Sequence, residues 1–254
     1  MVEAKKLAFA DRLGYAGDKR SVDFFPLEKM TGKLFAGRRR AAIGPRAAEE
    51  VRACEPGLFE GETTSFVVAD REGNAVSFIQ SLSLSFGSGV TVPGTGIVLN
   101  DRTGRGFSLV EGHPYRVGPR KKTIHTLNTY LVTREGRLFM VGNTPGGDGQ
   151  PQWNLQVLAH VIDGGMTAQE AVEAPRWTSL PGTDPATIDT PVQLRVEERL
   201  PAETIAALEG RGHVVKTAGA WAGGGRAQVI VVAPKTGVRM AGTDPRVEGA
   251  ALVD

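Results

Sequence analysis

The 254-residue chain has a single cysteine, Cys54, which excludes an internal disulfide. It has no CxxC pair, and none of its four histidines (His113, His125, His160, His213) sits at ligand spacing. A zinc framework is therefore excluded, and neither a metal nor another cofactor is expected. An excess of charge is also lacking. Thirty basic against 28 acidic side chains leave +2, too little to argue for nucleic acid or a membrane surface. The one basic run, Arg38-Arg39-Arg40, falls in a helical pattern over 34–43 and reads as a solvated face. Nowhere do about 18 consecutive apolar residues occur, so no membrane span is expected. The start, Met1-Val2-Glu3-Ala4-Lys5-Lys6, lacks the apolar stretch of a signal peptide, and the chain as written is expected to stay in the cytoplasm. Internal repeats and low-complexity segments are absent. What remains is a composition of 41% hydrophobic and 23% charged residues, that of a globular protein with a substantial core.

Residues 1 to about 50 read as helical, with apolar positions at Leu7, Ala8 and Leu13 and again at Leu34, Phe35, Ala41, Ala42 and Ile43. A polar, proline-broken connection lies between them at 18–26, and 44–62, with Pro45, Pro56 and Gly57, reads as a linker. Thereafter β-runs alternate with helices. Thr63 to Ala69 and Ala75 to Ser81 flank Asp70-Arg71-Glu72-Gly73-Asn74, a hairpin pattern. With a three-residue loop Arg71-Glu72-Gly73 and Gly73 left-handed, cross-strand partners have numbers summing to 144, and Thr63 faces Ser81. A second hairpin is expected over 126–143 around Arg134-Glu135-Gly136 by the same logic. Helices are expected over 152–163, 167–174 and 200–211, and strands over 214–216 and 227–233.

A hydroxyl opposite a strand-initial threonine suits acyl transfer. The threonine oxygen would attack, its neighbour would hydrogen-bond that oxygen, and its own α-amine, once freed, would be the base. That makes Glu62-Thr63 a candidate self-cleavage site. An ordinary edge hairpin with two polar residues paired across it is the competing reading, and Thr64 the competing nucleophile. Pro145-Gly146-Gly147, between a strand ending near Asn143 and a following helix, could aim backbone N–H groups at a developing negative charge, or be a plain glycine-rich turn. No Gly-Lys-Ser/Thr follows, so it is not a P-loop. Gly223-Gly224-Gly225 reads as a turn that lets chains approach closely. Trp153 and Trp177 read as packing residues, and Asp148 as a turn former within reach of the pocket.

Taken in order and spacing, this hairpin, the stretch Ser81-Leu82-Ser83-Leu84-Ser85-Phe86-Gly87-Ser88-Gly89-Val90, the run Pro93 to Asn100 and Asn143-Thr144-Pro145-Gly146-Gly147-Asp148 resemble the small-subunit half of the γ-glutamyltransferase family. The likeness extends from the helix at Glu3–Arg12 to Gly242-Thr243-Asp244-Pro245-Arg246. It implies an N-terminal-nucleophile hydrolase with a four-layer αββα architecture that cuts itself before a threonine. Residues 1–62 would form a helical tail of the large-subunit region with its linker, and 63–254 the nucleophile-bearing domain. Thr63 and Ser81 would be catalytic, and Gly146 and Gly147 would form the oxyanion hole.

Departures from the family pattern bear on the substrate. Ser83 stands where an asparagine is typical. Gly104 or Arg105 stands where a carboxylate receives the substrate's α-ammonium, and His125-Thr126 replaces a serine pair that binds its α-carboxylate. With Ser83, Arg105, His125 and Thr126 as candidate substrate-binding residues, a γ-glutamyl amide is the first expectation and a non-glutamyl dicarboxylic or acyl amide the second. Arg105 would repel an ammonium and favour an anion. Members of the family also carry several hundred residues ahead of the point matching Met1. This leads to the expectation of a separate N-terminal large-subunit polypeptide or a homo-oligomer as partner. An inactive fragment is the remaining alternative.

Overall fold

The computed structural model describes residues 1–20, 22, 26–48, 63–183 and 191–253. The candidate cleavage residue Glu62 and most of the expected linker lie outside them. Three helices come first: α1 (Val2–Tyr15), α2 (Leu27–Met30) and α3 (Lys33–Ala41). The hairpin β1 (Thr63–Ala69) and β2 (Ala75–Ser81) follows, then α4 (Arg102–Gly106), β3 (Thr129–Arg134) and β4 (Arg137–Asn143). A short 3-10 turn over Gly147–Gly149 leads into α5 (Gln150–Ile162) and α6 (Ala168–Glu173). The remainder is β5 (Trp177–Leu180), β6 (Gln193–Glu197), α7 (Ala202–Gly210), β7 (Val215–Ala218), β8 (Gln228–Val232) and β9 (Arg239–Thr243).

The first hairpin forms in the expected register, with Thr63 opposite Ser81, Ala69 opposite Ala75 and Gly73 at φ +90°. The second differs from expectation. Glu135 and Gly136, at φ +52° and +75°, make a two-residue turn joining Arg134 directly to Arg137, and the register shifts between Val132 and Thr133. Two left-handed residues match the strand twist without a third. The pairing of β3 with β4 begins at Thr129 rather than Thr126.

A four-stranded antiparallel sheet in the order β3-β4-β8-β9 carries the core. The β1–β2 hairpin packs on one face of it, and α5 and α6 on the other. Strand β4 is thus covered on both sides, and Met140, Val141, Gly142 and Asn143 are all buried. Its apolar partners are Val157 and Val161 of α5, Ala168, Ala171 and Val172 of α6, and Val229 and Val231 of β8. Helix α6 begins with a capping box between Thr167 and Glu170, which satisfies its first N–H groups. These layers form a mixed α+β sandwich. Beside it a smaller sheet, β5-β6-β7, pairs β6 parallel with β7 through α7.

Helix α1 forms where its periodicity predicts it but buries a different face. Lys5, Lys6, Phe9 and Asp11 are buried, whereas Leu7 and Leu13 are half-buried and Ala8 is exposed. Hydrogen bonds make this possible. Lys5 donates to the Ser179 and Pro181 carbonyls at 2.8 and 2.7 Å, Lys6 pairs with Glu3, and Asp11 pairs with Arg39 of α3. Arg39 is therefore engaged rather than part of a free basic face. In α3 itself no residue is buried, and Leu34 is exposed.

Candidate active site

The site begins at the first residue of β1. Thr63 Oγ1 lies 2.9 Å from Ser81 Oγ, the last residue of β2, and the Ser83 N–H donates to the same Ser81 oxygen at 2.9 Å. Ser83 is buried and takes φ +79°, the left-handed region that a serine rarely occupies. Helix α4 supplies the contact that holds it there. Arg105 Nη1 donates to the Ser83 carbonyl at 3.2 Å and reaches its hydroxyl at 3.4 Å. Arg102, one turn earlier on α4, donates to the hydroxyl of the buried Thr126 at 3.3 Å.

These residues meet at one cavity of about 490 Å³, into which Thr63, Ser81, Ser83, Arg102, Arg105, Thr126, Gly146 and Gly147 all face. His125 instead lines a neighbouring cavity with Tyr115, Lys122 and Ala16. Burial, then the charges of Arg102 and Arg12, hold its pKa below the ordinary histidine value. Thr126 and its neighbour His125 thus face different spaces.

Opposite Thr63, the chain leaves β4 through Thr144-Pro145 and turns sharply at Gly146 and Gly147, with φ +123° and +53°. A Cβ on Gly146 would lie 2.2 Å from Trp153 Cζ3, so this position admits only glycine. Trp153 is itself fixed by its indole N–H, which donates to Thr178 Oγ1 at 2.8 Å. Asp148, next in the chain, is buried and accepts from Arg12 of α1 at 2.8 Å and from the Thr183 hydroxyl at 2.9 Å, as well as from the Thr183 backbone N–H. Burial pushes its carboxyl upward, but the Arg12 charge and the Thr183 hydrogen bonds outweigh it and hold the pKa below the ordinary carboxylate value. The turn at Gly146-Gly147 is thereby tied to α1.

The far wall is Gly223-Gly224-Gly225, and the expected close approach is present. A Cβ on Gly224 would meet Trp153 at 2.3 Å, and one on Gly223 would meet Glu197 at 2.7 Å. Behind this loop lies a buried ion network that sequence reasoning missed. Glu197 accepts from the Gly223 N–H at 2.9 Å and from Arg246 at 2.6 and 2.7 Å. Arg176 pairs with Asp244 and donates to the Gly224 carbonyl at 3.0 Å. Burial raises the Glu197 pKa, but hydrogen bonds from Arg246 and Gly223 bring it below the ordinary value, so the carboxylate stays charged. The one available signal was Asp244-Pro245-Arg246 directly after a β-run, with opposite charges two residues apart.

Comparison with known proteins agrees with this architecture. The family described as Gamma-glutamyltranspeptidase matches residues 1–253. The glutathione hydrolase-like YwrD proenzyme of Bacillus subtilis (strain 168) is 38% identical over 99% of this chain and 46% of its own length. The oxamate amidohydrolase proenzyme of Klebsiella pneumoniae is 36% identical over 99% and 46%. A crystal structure of cephalosporin acylase from Bacillus halodurans superposes with a TM-score of 0.82 at 36% identity, covering 98% of this chain and 43% of that one. The chain thus spans about half the length of the curated relatives it matches.

Proposed function

The chain belongs to the gamma-glutamyltranspeptidase family, and from that premise we propose that it is a self-processing acyl transferase or hydrolase whose nucleophile is Thr63. In maturation the Thr63 oxygen attacks the Glu62 carbonyl, the peptide C–N bond breaks, and water hydrolyses the resulting ester. This leaves 1–62 and 63–254 as separate chains, the first a helical tail and the second the nucleophile-bearing domain. In turnover the new α-amine of Thr63 takes the hydroxyl proton as the oxygen attacks a substrate amide carbonyl. Ser81 hydrogen-bonds the attacking oxygen, and the Gly146 and Gly147 N–H groups receive the negative charge of the tetrahedral intermediate. Collapse returns the proton to the leaving amine. The acyl–Thr63 ester then passes its acyl group to water or to another amine.

The observation that carries this reading is the 2.9 Å contact between Thr63 and Ser81 in the lining of a cavity that Gly146 and Gly147 also line. The donor is a small amide, γ-glutamyl or related. Its relatives are named for glutathione, oxamate and cephalosporin, so membership alone leaves the acyl group open. The partner is further polypeptide of the large-subunit kind, on a separate chain, or a second copy of this one.

The intact mass of freshly purified protein tests the proposal. Fragments 1–62 and 63–254 are expected in the parent and a single chain in Thr63→Ala. A single uncleaved chain in both, persisting on prolonged incubation, overturns self-processing by Thr63.

A further inference from the structure

We propose that Trp221 is the platform of an aryl subsite: the amide donor carries a flat, uncharged aromatic ring, on its acyl part or on its amine, that stacks on the indole. The inference rests on Thr63 as the nucleophile, and it names the substrate class for that site. Three observations carry it.

The first is placement. Trp221 lines the same cavity as Thr63, Ser81, Gly146 and Gly147, yet 45% of it is exposed. Trp153, the other indole in that lining, is buried and donates to Thr178. Trp221 is thus the aromatic surface left open to a ligand.

The second is rigidity. The Arg199 guanidinium lies 3.6 Å from the centre of the Trp221 ring. Arg199 stands outside the described lining of the cavity, so it backs the ring from behind. It is itself held by the Ala220 and Glu173 carbonyls at 2.6 and 2.8 Å and by the Glu197 carboxylate at 2.6 Å. An exposed tryptophan clamped in this way meets a ligand without first being ordered.

The third is the chemistry around the ring. Next to Trp221 the wall continues as Ala222 and Gly223-Gly224-Gly225, where near-bare backbone lets a planar group lie close. Arg246, its guanidinium 5.2 Å from the ring centre, has all its N–H groups committed to Glu197, Asp244 and the Val172 and Ala174 carbonyls. It keeps no donor for an anion. A cation already seated on one face of an indole draws π-electron density toward itself, so the open face favours an electron-rich ring over a second cation.

Four neutral amides test this. Acetanilide carries its ring on the amine and benzamide carries it on the acyl group, while N-cyclohexylacetamide and cyclohexanecarboxamide replace each ring by a saturated one of similar size. None is charged, so the arginines of the cavity do not discriminate among them, and the saturated rings are the more hydrophobic. A preference for the aryl member of a pair therefore reports stacking. NMR titration gives the affinities and needs no turnover. In the parent at least one aryl amide is expected to bind about fivefold more tightly than its cyclohexyl counterpart. Trp221→Leu should bring that ratio to about one, and Trp221→Phe should keep most of it. A ratio near one for both pairs in the parent, or a ratio unchanged in Trp221→Leu, overturns the proposal. Hydrolysis of the same amides then locates the ring: a KM raised by Trp221→Leu for acetanilide puts it on the amine, and one raised for benzamide puts it on the acyl group. Trp221-dependent aryl binding with neither self-cleavage nor any amide hydrolysed sinks the Thr63 reading and leaves the subsite standing. Self-cleavage without an aryl preference does the reverse.

Discussion

Gly146 and Gly147 are adjacent and both left-handed in sign, yet they are not equivalent. At Gly146 a methyl group would lie 2.2 Å from the Trp153 ring, and that ring is pinned by Thr178. At Gly147 nothing stands within 4 Å of the added carbon, so alanine there meets only the cost of its φ. We expect Gly147→Ala to lower stability by about 1 kcal/mol and to retain self-cleavage. Gly146→Ala should cost about 3 kcal/mol or more, from overpacking added to backbone strain, and should abolish cleavage. Urea midpoints and intact mass measured on both variants check this pair. Comparable behaviour would mean that Trp153 does not shape the turn. At this scale much of the candidate site was legible. Turn chemistry alone set the register that brings Thr63 to Ser81, because Gly73 in a three-residue loop leaves one pairing. The split between His125 and Thr126 was not, since which face a residue takes outside a paired strand depends on tertiary contacts.

Helix α1 shows what periodicity conveys and what it omits. Apolar spacing located the helix, but its buried face is carried by lysine and aspartate, whose polar ends meet carbonyls and counter-charges distant in sequence. Lys6 meets its near neighbour Glu3, but the partners of Lys5 and Asp11, at Ser179, Pro181 and Arg39, are 28 or more residues away and leave no local trace. Strand β5 and its partner β6 escaped notice for a related reason. Trp177-Thr178-Ser179-Leu180 is four residues long and is set by its pairing with β6 and by side-chain bonds from Gln152 and Gln156. A pH dependence follows from α1. Burial lowers the Lys5 pKa from 10.5 to about 8, against the pull of Asp148. Below pH 8 both folded and unfolded chains hold that proton, and the penalty for burying the charge is fully present. Between pH 8 and 10.5 the unfolded chain binds more protons than the folded one, so stability rises with pH through this window, by about 3 kcal/mol from this group. Urea unfolding from pH 7 to 11 should show the rise in the parent relative to Lys5→Met, which removes the titrating group. Parallel curves for the two proteins would refute it.

The arrangement of the whole molecule leaves one surface unresolved by the fold itself. The inward face of the β1–β2 hairpin is mixed, with Val67, Ala69, Ala75 and Ile79 beside Thr63, Ser65, Ser77 and Ser81, and it is tied to β4 by hydrogen bonds: Asn143 donates to the Phe66 and Phe78 carbonyls and to Ser77, and Ser77 donates to Gly142. Its outward face is the apolar one, with Phe66, Val68, Val76 and Phe78 all exposed and the two phenyl rings stacked 4.9 Å apart. Among the described residues no helix covers it, so three of the four layers of an αββα sandwich are accounted for. A strand pair normally turns such a face toward a core, and a contiguous exposed apolar patch marks an interaction surface. We therefore expect the 27.0 kDa chain to self-associate when purified alone and to exchange that contact for large-subunit polypeptide when the two are produced together. Light scattering coupled to gel filtration reads the first part, and co-elution the second. Phe66→Ser combined with Phe78→Ser should shift the isolated chain toward a monomer while leaving the buried β4 core intact, because neither ring contributes to that core. A monodisperse monomer in the parent, or association unchanged in the double variant, would place the contact elsewhere. The same face links assembly to chemistry. Its strands begin at Thr63 and end at Ser81, so whatever covers the outside of the hairpin also steadies the 2.9 Å contact on which the nucleophile depends.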